Sequence, residues 1–303
     1  MGIRLYREPE LKNPVMIASW PGIGNIGIIA ANTLREMVKA EELGEIEPWD
    51  FSYPNRISIR NGELTNLEFP SSRFYFKKSE KRDLIFFIGE EQPAEVGKAY
   101  AEGIKAYQMA NLVLDVAMKF GCRRVYTSGA AVAPIHHTMK PKVWAVPNTT
   151  ELLSDIRSYE NTVLMSDIEG RGGQGNITGL NGLLLGVAKK RGMEAICIMG
   201  EIPAYLQGFP VPYPKASKSV LEVLGTALGI EINTEGITEL VEQSEQEIEK
   251  LYERLPSEIK EQLDKLKYVT YAKPVERGPI TEEDKKKIME DIDRFFKKEP
   301  KED

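Results

Sequence analysis

Gly170-Arg-Gly-Gly-Gln-Gly175-Asn-Ile-Thr-Gly-Leu-Asn-Gly182 leads into an apolar segment and then Glu194-Ala-Ile-Cys-Ile-Met-Gly-Glu201. Six glycines (Gly170, Gly172, Gly173, Gly175, Gly179 and Gly182) crowd one turn. Glycine tolerates positive φ and lets a backbone approach its neighbour closely. Leu180, Leu183, Leu184, Val187 and Ala188 recur at helical spacing, and Gly192 is placed to stop that helix. Ala195–Met199 reads as a buried strand, and Thr162–Met165 as the strand that enters the turn. The expected unit is strand, glycine turn, helix, strand. Free N–H groups at such a helix start suit an anion or a carbonyl. A tight turn with close helix–sheet packing explains the same residues. G-x-x-x-x-G-K-[ST] does not occur in this stretch.

A second junction of the same kind lies upstream. Pro14–Trp20 is a short apolar run, Gly22, Gly24 and Gly27 follow, and a helix is expected from Ile26 to Lys39. The spacing of these three glycines has the G-x-G-x-x-G form of a dinucleotide fingerprint. The acid that should end a strand about 20 residues on would be Glu41, Glu42 or Glu45, and none clearly does so. Further strands are expected at Asp83–Gly89, Arg124–Ser128 and Lys142–Val146, with helices at Glu95–Phe120, from Asn148 or Thr149 to Tyr159, and at Lys215–Leu228. About six strands alternating with helices predict a three-layer α/β domain on a mostly parallel sheet. Ile57-Ser-Ile-Arg60, Asn61-Gly62 and Glu63–Leu67 read as a β-hairpin with a type I′ turn, set at a sheet edge or in a partner contact.

From Thr234 the chain turns to charged helix. Ile237, Val241, Ser244, Ile248, Leu251 and Leu255 are spaced 4, 3, 4, 3, 4, an a/d seam with one polar break. Shorter helices are expected from Ser257 and after Thr281, with Lys273–Pro279 as a linker. The division is therefore residues 1–232 as the α/β core and residues 233–303 as a C-terminal helical extension. Ile237, Val241, Ile248, Leu251 and Leu255 serve either packing on the chain's own core or contact between subunits.

The 303 residues carry a formal charge of -6. That argues against a nucleic-acid footprint. No apolar run reaches the ~18–20 residues of a membrane helix, and the charged N-terminus lacks a secretory signal, so a cytoplasmic protein is expected. Cys122 and Cys197 sit in or beside apolar runs and read as free buried thiols. Abundant Lys and Glu, with two residues each of His and Cys, lean thermophilic.

The loops expected to leave the strand ends are the candidate site. They contain Gly22, Gly24, Asn25, Gly27, Gly129, His137, Gly173, Gln174, Gly175, Asn176, Glu201 and Tyr205. In open α/β sheets ligands gather beyond these ends. Adjacent His136 and His137 point apart on an extended segment and share no metal-ligand spacing with the cysteines, so neither metal nor cofactor is expected. One histidine at a strand end suits a loop hydrogen bond or a general base. The carboxylates Glu90, Glu91, Asp167, Glu169 and Glu201 would do acid/base work only if they meet in space, and no catalytic set stands out.

Trp20-Pro-Gly-Ile-Gly-Asn-Ile-Gly27, Thr127-Ser-Gly-Ala-Ala131, Gly179-Leu-Asn-Gly-Leu183 and Gly200-Glu-Ile-Pro-Ala-Tyr205 occur in this order. Over about residues 1–232 they resemble the archaeal branch of the proteasome assembly chaperone family, second-subunit type. The resemblance implies a fold like that of nucleoside phosphorylases, homo-oligomers, and a non-catalytic role in binding and assembling protein partners, proteasome subunits among them. Members also carry the loose label of ATP-grasp-like enzymes. The sequence departs from the family at Lys298-Glu-Pro-Lys-Glu-Asp303, where ring-docking members carry a hydrophobic–Tyr–any-residue tail, so docking by that route is not expected. The alternative is a nucleotide- or nucleoside-binding enzyme, phosphorylase-like or ligase-like. There Gly22–Gly27 and Gly172–Gly175 would cradle phosphate and Glu201 or His137 would act on substrate.

Overall fold

The computed structural model describes residues 2–93, 103–165 and 175–270. The central strands are β2 (Val15–Ser19), β7 (Leu84–Gly89), β8 (Arg124–Ala133) and β11 (Glu194–Pro203). They lie side by side in the order β7-β2-β8-β11, and every adjacent pair is parallel. Each reads as a near-continuous apolar run because both of its faces are covered. β2 and β7 are buried at every position.

Beyond this centre the sheet is mixed. On one side β6 (Ser72–Lys77), β3 (Glu41–Ile46) and β1 (Ile3–Leu5) add antiparallel strands. On the other, β9 (Val143–Pro147) pairs antiparallel with β11, and β10 (Thr162–Val163) pairs parallel with β9. The expectation of a mostly parallel sheet thus holds at the centre, while the β1–β3–β6 flank and the β9–β11 pair are antiparallel. β1 and β3 are not legible as strands in the sequence. β3 carries Glu41, Glu42 and Glu45 on a half-exposed strand, and these mask the buried Leu43 and Ile46.

Helices cover both faces. α1 (Ile26–Met37) and α5 (Pro214–Leu228) pack on Val15, Ile17, Phe86, Tyr126, Ile196 and Ile198. α2 (Gly103–Lys119) and α4 (Gly179–Lys190) pack on Met16, Ala18, Phe87, Val125, Ala195 and Cys197. The alternation of residues between the two lists is the period of two of a strand. A short helix, α3 (Leu153–Arg157), follows β9, and α6 (Glu235–Glu253) and α7 (Ser257–Asp264) follow α5. The start of the expected helix from Glu95, the glycine cluster Gly170–Gly173 and the helix after Thr281 lie outside the described residues.

Two loops expected from their small residues are strand instead. β8 continues through Gly129–Ala133 and β11 through Glu201–Pro203, paired residue for residue from Arg124↔Glu194 to Ala133↔Pro203. The small residues are spent on close approach. A Cβ on Gly27 of α1 would stand 2.2 Å from the Ser128 carbonyl oxygen, and one on Gly129 would stand 2.7 Å from Asn181 Nδ2 of α4. The starts of two helices thus press on β8 at Ser128–Gly129, one from each face. The unit β10–α4–β11 is not a parallel crossover, because β10 lies at the sheet edge beyond β9 and runs opposite to β11.

Both thiols are free and buried, as their surroundings in the sequence implied. Burial pushes Cys122 up to about 12 and Cys197 up to about 11, so neither is a thiolate near neutral pH.

Candidate functional site

The strand-end residues fall into two places. Gly22, Gly27, Gly129 and Asn176 line a cavity of about 420 Å³, together with Trp20, Trp144, Met199 and Asn181. Gly24 and Asn25 line a second cavity, of about 400 Å³, with residues 207–211, and their left-handed conformation, φ 60° and 50°, turns the chain into α1. Ser128 Oγ donates to the Gly27 carbonyl at 3.1 Å and lies 3.2 Å from Ser19 Oγ. Gly175 abuts Met165, whose Cε stands 2.2 Å from where a Cβ would be. Gly173 and Gln174 lie outside the described residues. Among the described residues lining the cavity none is ionisable.

Glu201 is not at a loop tip. It is buried within β11, 1% exposed, and accepts hydrogen bonds from Trp144 Nε1 at 2.8 Å and the Lys142 backbone N–H at 2.9 Å. A buried carboxylate held by such donors ties β9 to β11. Glu90 accepts from the Ser71 N–H at the surface. The carboxylates Glu90 and Glu201 therefore meet no common partner given by these bonds, and Asp167 and Glu169 lie outside the described residues.

His137 and Tyr205 meet elsewhere, beneath α6. The His137 backbone N–H donates to Tyr205 Oη at 2.7 Å, and Tyr205 Oη stands 2.8 Å from His137 Nδ1. On the other side of the ring, His137 Nε2 lies 3.1 Å from Glu249 Oε2 of α6, so the imidazole bridges Tyr205 and α6. Burial pushes the Tyr205 phenol up to about 12, so it stays a donor at neutral pH. Lys215 Nζ of α5 donates to the His137 carbonyl at 2.9 Å and pairs with Glu245 of α6 at 2.7 Å. The Tyr252 ring of α6 lies 4.9 Å from the His137 ring and 5.4 Å from the His136 ring, and its hydroxyl donates to Asp264 at 2.9 Å.

This cluster latches α6 and α7 to the core. The heptad positions point the same way: Ile237 and Ile248 are buried and Val241 packs against the α1–α5 side of the core. Leu251 borders a small crevice with Ile202, Phe209 and Tyr213, and Leu255 is half-buried. This is packing within the chain, the first of the two uses the spacing allows. Glu245, Glu249, Tyr252 and Asp264 were not legible as partners of the histidines. The signal available was a line of polar residues, Glu245, Glu249 and Tyr252, beside an apolar seam. Among the described residues no group of three or more His, Cys, Asp and Glu side chains is placed to hold a metal ion.

Residues 16–252 match the model of the PAC2 family. The chain belongs to the PAC2 family. The match runs past residue 232 and takes in α6. The chain is 30% identical over 245 residues to the uncharacterized protein MJ1210 of Methanocaldococcus jannaschii, covering 80% of this chain and 84% of that one. It is similar to the crystal structure of Pyrococcus furiosus PbaB, an archaeal proteasome activator, at 29% identity and a TM-score of 0.67, covering 82% of this chain and 98% of PbaB. P. furiosus PbaA, an archaeal homolog of proteasome-assembly chaperone, shares the fold at 22% identity and a TM-score of 0.59, covering 87% of this chain and 99% of PbaA.

Proposed function

We propose that this chain is a non-catalytic, homo-oligomeric assembly chaperone or scaffold acting on protein partners in the cytoplasm, proteasome subunits among them. The likeness to PbaB, over most of both chains, carries the reading. The site chemistry supports it. Gly27 and Gly129 serve helix packing against β8, Glu201 is spent on Trp144 and Lys142, and His137 is spent on Tyr205 and Glu249. The layered sheet suits the phosphorylase-like fold that the resemblance implies, with α6 and α7 as the helical addition.

The test is direct. Purified chain is mixed with archaeal proteasome α subunits and with the assembled particle, and followed by native electrophoresis and peptidase assay. Co-migration or a changed assembly rate is expected. Absence of both, together with calorimetric binding of ATP, a nucleoside or phosphate, would move the protein to the enzyme class.

A further inference from the structure

The segment between β3 and β6 leaves the body as an arm. β4 (Arg56–Arg60) and β5 (Glu63–Glu68) pair only with each other, as a separate two-stranded sheet. Asn61 and Gly62 close it with φ of 51° and 83°, the type I′ geometry their sequence implies. An isolated two-stranded hairpin is marginal in water and needs a covering surface.

The arm has an irregularity that decides what it presents. Ile57 pairs with Leu67, Ser58 with Asn66 and Ile59 with Leu64, so Thr65 is an extra residue in β5. Its hydroxyl donates to the Ser58 carbonyl at 2.9 Å. Leu64 and Leu67 are three apart, and in a regular strand they would face opposite sides. The bulge restores the phase. It puts Ile57, Ile59, Leu64 and Leu67 on one face. All four are exposed, by 60%, 68%, 64% and 39%. Trp49 and Tyr53, 68% and 80% exposed, flank the base, where Trp49 stacks edge-on against Phe69. An aliphatic face this open, built by a dedicated bulge, marks an interaction surface.

We infer that the β4–β5 arm is a self-association surface, its Ile57/Ile59/Leu64/Leu67 face covered by the same face of a second copy of this chain. The inference rests on the homo-oligomeric part of the proposed function and is independent of the client. Three observations select a second copy. The arm's charges are Arg56, Arg60, Glu63 and Glu68, two of each sign, with Arg56 3.8 Å from Glu68. The arm is thus neutral on a chain of charge -6, and two copies can meet here without adding like charges. The face is aliphatic and non-directional, as permanent homo-oligomer contacts are, whereas transient partners meet through more polar surfaces. Four aliphatic side chains and two rings, the latter able to bury about 150–250 Å² each, approach the ~800 Å² that each partner contributes to a standard interface.

Light scattering on the full-length protein tests this with Ile59→Glu and with the pair Ile59→Glu/Leu64→Glu. Both sites are exposed, so folding, checked by circular dichroism, is retained. The wild type is expected to be an oligomer, and the double variant to fall to a smaller mass with association weakened about 30-fold or more. In a Leu64→Cys variant the new thiol is the exposed one, since Cys122 and Cys197 are buried. A short bis-maleimide is expected to join two chains through it. A monomeric wild type would overturn both this inference and the homo-oligomeric reading. An oligomeric wild type whose double variant keeps its mass, without a Leu64→Cys cross-link, would overturn this inference alone and assign the arm to a client.

Discussion

His136 is 1% exposed, and its Nε2 has no hydrogen-bond partner. Its Nδ1 stands 2.8 Å from Thr138 Oγ1, and Asp264 Oδ1 is 3.6 Å from Nε2. Burial above all, then the neighbouring His137 and Lys267, hold its pKa down at about 4, while Asp264 and Glu249 pull the other way. An unfolded histidine titrates near 6.5. The unfolded chain therefore binds the extra proton between about pH 6.5 and 4. Stability from the neutral buried ring is complete above that window and is lost as pH falls through it, by up to about 1.4 kcal/mol per pH unit. Urea midpoints measured from pH 7.5 to 4.5 are expected to fall in the wild type and to fall less steeply in His136→Asn. Equal slopes would show that another group controls acid stability. At this scale the sequence made the pair His136-His137 visible as a loop feature. It did not make Asp264 visible, because 127 residues of chain separate the two and only the packing of α7 brings them together.

At the scale of elements, the contact that matters is α6 against the segments that follow β8 and β11. Tyr205 holds two hydrogen bonds to His137, which in turn reaches Glu249. Tyr205→Phe keeps the ring and removes the hydroxyl, leaving a buried N–H and Nδ1 unpaired at a cost of about 1–3 kcal/mol. The denaturation midpoint is expected to drop, and hydrogen exchange to quicken in α6 more than in β8. A uniform change would mean that Tyr205 supports the core at large and is not part of a latch. Elements whose pattern is local were legible: β2, β7, α1, α5 and the Asn61-Gly62 turn each announce themselves by period or by turn chemistry. The continuation of β8 and β11 past Ser128 and Met199 was not, since Gly129-Ala-Ala and Gly200 look like loop until a partner strand pairs with them.

For the whole molecule, the boundary at residue 232 is a prediction about cooperativity. Ile237 and Ile248 are 0% and 4% exposed within the core that α1 and α5 share. Burying each such side chain contributes about 1.5–3 kcal/mol, and the net stability of a domain is about 5–15 kcal/mol. A chain ending at residue 232 is therefore expected to melt well below the full-length protein and to aggregate. A truncated chain with an unchanged melting temperature would make α6 an appendage.

The sequence by itself determined the α/β class, the alternation of strands and helices through α5, the hairpin and its turn, and the family motifs. Each depends on residues close in the chain, where period and φ preference act directly. Tertiary structure alone decided which strands are neighbours, that Gly27 and Gly129 pack helices against β8, that the seam of α6 faces its own core, and that Thr65 turns four aliphatic side chains to one exposed face. Those outcomes rest on contacts between distant segments and on a one-residue change of phase, and a local pattern carries neither.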